Sequence, residues 1–139
     1  MLIHLKRGEK IYVNGAVLRV DRRASLEFLN DVDFLLENHV IQADEARSPL
    51  RQLYFVVQTM LIDPGNAGMT HQLYVHLSHR LLQAAVTPGI IAAVQAADGK
   101  VAANKYFDAL KALRAAFELE DQVLVAEGSA AGVGKGEAA

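Results

Sequence analysis

Cysteine is absent from this 139-residue chain. That excludes disulfides, cysteine-based zinc sites and a secreted disulfide scaffold. No apolar run approaches the roughly 20 residues that a membrane-spanning helix needs. No basic segment followed by a long apolar one opens the chain, so a secretory signal is not expected. A soluble protein in a reducing, cytoplasmic setting is the reading these absences favour. Proline is scarce, with three in all, and each follows a residue that can start or stop a helix. Serine is also sparse, at Ser25, Ser48, Ser78 and Ser129, and none sits in a G-x-S-x-G elbow. No enzyme class rises above background. What remains is an apolar fraction of 52%, enough for one globular domain with a sizeable core.

The net charge of −2 conceals a strong separation. In residues 1–23, Lys6, Arg7, Lys10, Arg19, Arg22 and Arg23 stand against Glu9 and Asp21 alone. In residues 24–47 the sign reverses: Glu27, Asp31, Asp33, Glu37, Asp44 and Glu45 face only Arg47. A positive end on a near-neutral protein can attract a polyanion locally. The six basic residues are therefore the candidate RNA-binding set, with Tyr12 available to stack on a base. Ordinary solubilising side chains on short strands are the alternative, since edge lysines also block aggregation.

Short apolar runs punctuated by turn residues fill the N-terminal third. Leu2–Leu5, Ile11–Val13, Ala16–Val20, Ala24–Leu29 and Val32–Leu36 read as strands. Asn14-Gly15 supplies the positive φ angles of a two-residue hairpin. The pattern predicts an antiparallel β-meander over 1–42. After residue 43 the period lengthens. Ser48-Pro49 opens a helix with Leu50, Leu53, Tyr54, Val57, Met60 and Leu61 on one face, and Asp63-Pro64-Gly65 ends it. Phe55 and Val56 widen that apolar surface and mark a candidate partner or oligomer face. Further helices are predicted over Ala67–Ala85, with Leu73, Leu77 and Leu81 inward, from Thr87-Pro88 to Ala97, and from Lys100 to Val125, with Asp98-Gly99 as a break. The expected architecture is α+β: the β-rich part, then a helical part of about four helices over 43–127 packed on it. Residues 128–139, rich in glycine and alanine, are expected to form a disordered tail.

Other signals are weaker. His76 and His79 can share a helix face, but His71 is turned away and no carboxylate completes a zinc set; no metal or cofactor is expected. Gly132-Val133-Gly134-Lys135-Gly136 lacks the glycine five before the Gly-Lys pair and the hydroxyl after the lysine that a phosphate loop requires.

Three stretches carry a family resemblance. Leu5-Lys6-Arg7-Gly8-Glu9-Lys10 with Asn14-Gly15-Ala16, then Ser48-Pro49 and Leu53-Tyr54-Phe55-Val56-Val57-Gln58 through Asp63-Pro64, then Tyr106 with Ala109-Leu110-Lys111-Ala112-Leu113-Arg114, occur in order. Together they resemble the flagellar-biosynthesis repressor FlbT family. The resemblance implies a bacterial, non-enzymatic, post-transcriptional regulator of flagellin synthesis. It would associate with the 5′ untranslated region of flagellin messenger RNA and work alongside the companion regulator FlaF. The alternative it leaves open is an adaptor or chaperone that acts on flagellin or the companion without touching RNA. Self-association into a homo-oligomer is compatible with either. Met1-Leu2-Ile3 leading to Gly8-Glu9 also resembles the opening of the carbon storage regulator family, over about ten residues.

Overall fold

The computed structural model describes the backbone of residues 2–138 and the side chains of residues 2–128. Five strands come first: β1 Leu2–Leu5, β2 Lys10–Val13, β3 Ala16–Arg19, β4 Ala24–Glu27 and β5 Phe34–Leu36. Five helices follow: α1 Pro49–Ile62, α2 Ala67–Ala84, α3 Pro88–Ala102, α4 Tyr106–Arg114 and α5 Phe117–Ala138. The α+β class and the antiparallel character of the strands are as the sequence predicts. The α5 backbone runs as helix over the stretch expected to be a disordered tail, and the side chains of 129–139 lie outside the described residues.

The strands do not run as a meander. β1 pairs with β4, and β2 lies between β3 and β5. Leu5 faces Ala24 and Lys10 faces Arg19, with four residues between the members on each arm. Residues 2–13 and 16–27 therefore form one long hairpin in a single register, interrupted at 6–9 opposite 20–23. Its tip is Asn14-Gly15, with φ of 45° and 87°, the two positive values of a type I′ turn.

The hairpin is also doubled back. Glu27 ends the arm opposite Leu2, whereas Phe34 begins β5 opposite Val13, near the tip. Twelve extended residues would separate those ends by about 36–40 Å. The connection from 28 to 33 can span only about 25 Å. The ribbon must fold at its interruption, which lays β1–β4 against β3–β2–β5. Ile3 and Leu5 of the first layer pack with Ile11 and Phe34 of the second. Alternation along the strands does the rest: Val13 and Leu36 turn toward this small core, while Tyr12 and Leu35 turn toward the helices.

α1 is the centre of the larger core. The whole predicted stripe, Leu50, Leu53, Tyr54, Val57, Met60 and Leu61, is buried, and so are Val56 and Gln58. Burying each large apolar side chain contributes roughly 1.5–3 kcal/mol before chain entropy is subtracted. Polar groups tie the connecting segment to the same helix. The Gln58 amide accepts from the Ile41 N–H at 2.8 Å and donates to the Ile41 carbonyl at 2.9 Å. The Tyr54 hydroxyl donates to the His39 carbonyl at 2.6 Å and accepts from Arg114 at 3.0 Å.

The N-terminus of α1 is capped from 70 residues away. Ser48 does not cap its own helix. Its hydroxyl instead donates to Glu120 of α5, whose carboxylate also accepts from the Leu50 N–H at 2.7 Å and from Arg51 at 2.8 Å. Glu120 is 4% exposed. The Arg51 guanidinium reaches Asp121 at 3.0 Å and lies 4.4 Å over the Phe117 ring, which meets Tyr54 edge-on.

Three sequence expectations for the helices shift. α3 passes through Asp98-Gly99 and ends at Ala102, because the Asp98 side chain is engaged by Tyr74 and Ser78 of α2 instead of turning back on its own backbone. The break falls at Asn104, φ 58°. The Asn104 N–H donates to the Val101 carbonyl and the Lys105 N–H to the Lys100 carbonyl, a Schellman stop with asparagine in glycine's place. α4 then starts with its Phe107 N–H bonded to the Asp33 carboxylate at 3.0 Å, and a bend at Ala115–Ala116 separates it from α5. On α2, Leu77 and Leu81 pack against the larger core as expected, but Leu73 is 48% exposed and the buried residues are Tyr74 and Ser78.

Gly15→Val should lower stability by about 2 kcal/mol, because a β-branched residue resists positive φ and its Cβ would lie 3.2 Å from Pro64; the thermal midpoint reads this. Gly99→Ala should do the opposite. Gly99 sits in continuous helix with open space around it, so alanine should add about 0.5–1 kcal/mol. Glu120→Ala, which strands the Ser48 hydroxyl and the Leu50 N–H and leaves Arg51 with Asp121 alone, should cost about 3 kcal/mol. Glu120→Gln, which keeps the shape and an acceptor, should cost less, and urea midpoints rank the two.

Candidate nucleic-acid interface

All six sequence-nominated basic residues fall at the fold in the ribbon. Lys6 and Arg7 lie in the β1–β2 turn, and Arg22 and Arg23 in the β3–β4 turn. Lys10 and Arg19 are the first pair beyond them. Because the register is continuous, Lys6 corresponds to Arg23, Arg7 to Arg22 and Lys10 to Arg19. The convergence comes from the β1–β4 pairing and not from a meander. Lys6, Arg7, Arg19, Arg22 and Arg23 are exposed, and Lys10 is half-buried.

The backbone holds this corner while leaving the cationic heads uncommitted. Gly8 adopts φ 83° and donates its N–H to the Val20 carbonyl at 2.8 Å. The Val20 N–H donates to the Glu9 carbonyl at 3.2 Å, and the Glu9 N–H to the Lys6 carbonyl at 3.0 Å. The Glu9 carboxylate accepts from the Lys6 backbone N–H at 2.6 Å, and the Glu37 carboxylate from the Lys10 N–H at 3.3 Å. Both acids thus engage main chain. Among the described residues the only ion pair involving these six side chains is Arg22 to Asp21, at 3.5 Å and more than 80% exposed on both sides. A pair so exposed contributes little. Lys10 and Arg19 are the ladder pair of like charge among the six, an arrangement that is destabilising, and the Glu9, Glu37 and Asp21 carboxylates beside the corner balance only part of the positive charge.

The remaining nominated residues are placed differently. Tyr12 packs toward α1 as part of the larger core's margin, so it does not present a stacking face at the corner. Val56 is 6% exposed and belongs to the core, whereas Phe55 is half-buried. Among the exposed apolar residues of the helical part, Met69, Leu73 and Val75 lie on α2, Val86 in the connection after it, and Leu124 and Val125 on α5. His71 and His76 are exposed and His79 lies beside them on α2, and no group of metal-competent side chains occurs among the described residues. The phosphate-loop-like stretch 132–136 lies outside the described side chains.

Two carboxylates do structural work that the sequence did not announce: Asp33, counted only among the acidic residues of 24–47, and Glu120, not named among the candidates. Asp33 starts α4, and it lines a cleft of ≈ 460 Å³ between the β4–β5 connection and the α3–α4 turn. Glu120 holds α1. Their partners are 74 and 70 residues away, beyond any local pattern. The one sequence signal for Glu120 is Ser48-Pro49, which announces a helix start that needs an acceptor.

The sequence profile described as "Flagellar protein FlbT" matches residues 1–124. Among curated proteins, the chain is 50% identical over 122 residues to the "Probable flagellum biosynthesis repressor protein FlbT" of Agrobacterium fabrum, covering 88% of this chain and 82% of that one. It is 49% identical over 124 residues to the protein of the same name from Chelativorans sp., covering 89% and 86%. With its namesake from Mesorhizobium japonicum it shares 47% over 122 residues, covering 88% and 83%. No solved structure matches. The matched span takes in both layers of the folded ribbon and the helices through the Glu120 anchor, and the chain belongs to the FlbT family of flagellar proteins.

Proposed function

We propose that this protein is a cytoplasmic, non-enzymatic repressor of flagellin synthesis that acts on flagellin messenger RNA by binding its 5′ untranslated region at the ribbon corner. The names of the relatives support the repressor role. The observation that carries the RNA reading is the convergence of Lys6, Arg7, Lys10, Arg19, Arg22 and Arg23 on one fold of the chain, with like charges in register and their neighbouring acids used by the backbone. Phosphate oxygens would relieve the repulsion that the corner sustains when unbound. Of the acidic stretch that follows in sequence, Glu37 reaches the corner, at the Lys10 backbone, and the six basic side chains outnumber the Glu9, Asp21 and Glu37 carboxylates beside them.

Direct binding of a flagellin leader RNA should be strongly salt-dependent. With about six phosphates contacted, log affinity should fall against log salt with a slope of roughly −4. Replacing Lys6, Arg7, Arg22 and Arg23 together by alanine should weaken binding at least tenfold and flatten that slope. The circular dichroism spectrum should not change, and relief of like-charge repulsion should leave the thermal midpoint equal or higher.

A second reading is favoured by α2. Its only lysine, arginine or acidic residue is Arg80, and it leaves Met69, Leu73 and Val75 exposed. Such a face suits a protein partner, and the companion regulator FlaF or flagellin is the candidate. If the quadruple variant binds leader RNA as the wild type does, the corner has no role in RNA contact, and action through a protein partner becomes the working description.

A further inference from the structure

A second site lies far from the corner in sequence, between α2 and α3. The two helices flank a cleft of ≈ 330 Å³ whose walls include Val75 and Leu82 of α2 and Val101 and Ala102 of α3. Asp98 lines it together with Tyr74 and Ser78, which are 2% and 4% exposed. Both hydroxyls donate to the same carboxylate oxygen: Tyr74 to Oδ1 at 2.6 Å and Ser78 to Oδ1 at 2.6 Å. Burial and the adjoining Asp98 push the Tyr74 phenol far above its ordinary range, so it stays a donor. One carboxylate oxygen is therefore fixed by two short bonds.

The other oxygen is not used. No donor among the described residues reaches Asp98 Oδ2, and none of their buried side-chain oxygens lacks a partner. It follows that Oδ2 is open to solvent. Asp98 also differs from Glu120 in its charge surroundings. Glu120 has Arg51 as a counter-ion, whereas no lysine or arginine lines the cleft and Asp98 makes no ion pair among the described residues. His71 and His79 are its remaining titratable lining groups. A second feature adds negative potential: Val101 and Ala102 are the last two residues of α3, where the helix dipole presents its negative end.

We propose that the α2–α3 cleft is a binding site for a primary alkylammonium group. The methylene stem lies along Val75, Leu82 and Val101, and the ammonium donates to Asp98 Oδ2. Apolar walls with an anionic acceptor match the two halves of such a chain. An ammonium suits the site better than a guanidinium, whose planar fork needs both carboxylate oxygens, one of which is already occupied. This chemistry has two sources, a free diamine or a lysine side chain presented by a protein. The proposal does not depend on RNA contact at the ribbon corner.

Methyl-detected NMR titrations of the full chain test it with three probes: putrescine, lysine blocked at both backbone ends, and the same compound acetylated on Nζ. Saturable shifts confined to the Val75, Leu82 and Val101 methyls are expected with the first two and not with the third. Tighter binding of putrescine would point to a free diamine, and tighter binding of blocked lysine to a protein. Asp98→Asn keeps an acceptor for Tyr74 and Ser78 while removing the charge, and it should weaken binding at least tenfold. Leu82→Phe narrows the cleft without touching Asp98 and should also reduce binding, which keeps the test decisive if the first variant unfolds. Absence of saturable shifts in the wild type would overturn the proposal. So would equal shifts with the acetylated probe, or unchanged affinity in folded Asp98→Asn.

Discussion

The carboxylate of Glu120 is the constraint on which the helical part turns. A helix N-terminus leaves backbone N–H groups without partners, and at α1 that of Leu50 belongs to a fully buried residue. Glu120 supplies the acceptor from the far end of the chain and brings a negative charge to the positive end of the helix dipole. Arg51 then balances that charge and stacks on Phe117. Phe117 reaches Tyr54, and Tyr54 holds the connecting segment at His39. One buried anion thus fixes α5 to α1 and, through two aromatic rings, helps to set where the β part meets the helices. Removing it would unpair the Ser48 hydroxyl and the Leu50 N–H and leave Arg51 only Asp121, whereas the apolar contacts around it are individually replaceable.

Local chemistry was legible where it is self-sufficient. Asn14-Gly15 sits between two strands of matching length, and no distant residue is needed to specify its turn. The α1 stripe was legible because a helix buried along one face writes its period directly. Strand order was not. A β1–β2–β3–β4 meander and a folded hairpin share the same local turns, and only the pairing of Leu2 with Glu27 distinguishes them. Asp98-Gly99 misled for a related reason. Aspartate breaks helices by bonding its own backbone, but here two hydroxyls of α2 occupy it. Asn104 gave little warning, since asparagine marks a helix end less strongly than glycine.

The basic set was legible as composition but not as geometry. Charge counting finds six cations near the N-terminus and cannot say that they face one another. That arrangement follows from register, and register follows from which apolar residues must turn inward. Ile3, Leu5 and Ile11 fix it by entering the same small core. The corner's electrostatics are in that sense a by-product of hydrophobic packing: burying three aliphatic side chains brings together charges that would otherwise repel. Such a surface is preorganised, because the fold has met the cost of assembling it before any anion arrives.

The two four-residue turns at the ribbon fold have a consequence for how this sequence can change. Each joins strands whose partners are fixed on the opposite arm, so their lengths are coupled. One residue inserted into 6–9 alone would displace β1 against β4 by a single step, exchanging the inward and outward faces of Ile3 and Leu5. An equal insertion into 20–23 would restore the match and merely enlarge the corner. Length variation here is therefore tolerable in pairs and ruinous singly, a rule of co-variation between two segments joined across the ribbon by the backbone bonds of Gly8, Glu9 and Val20.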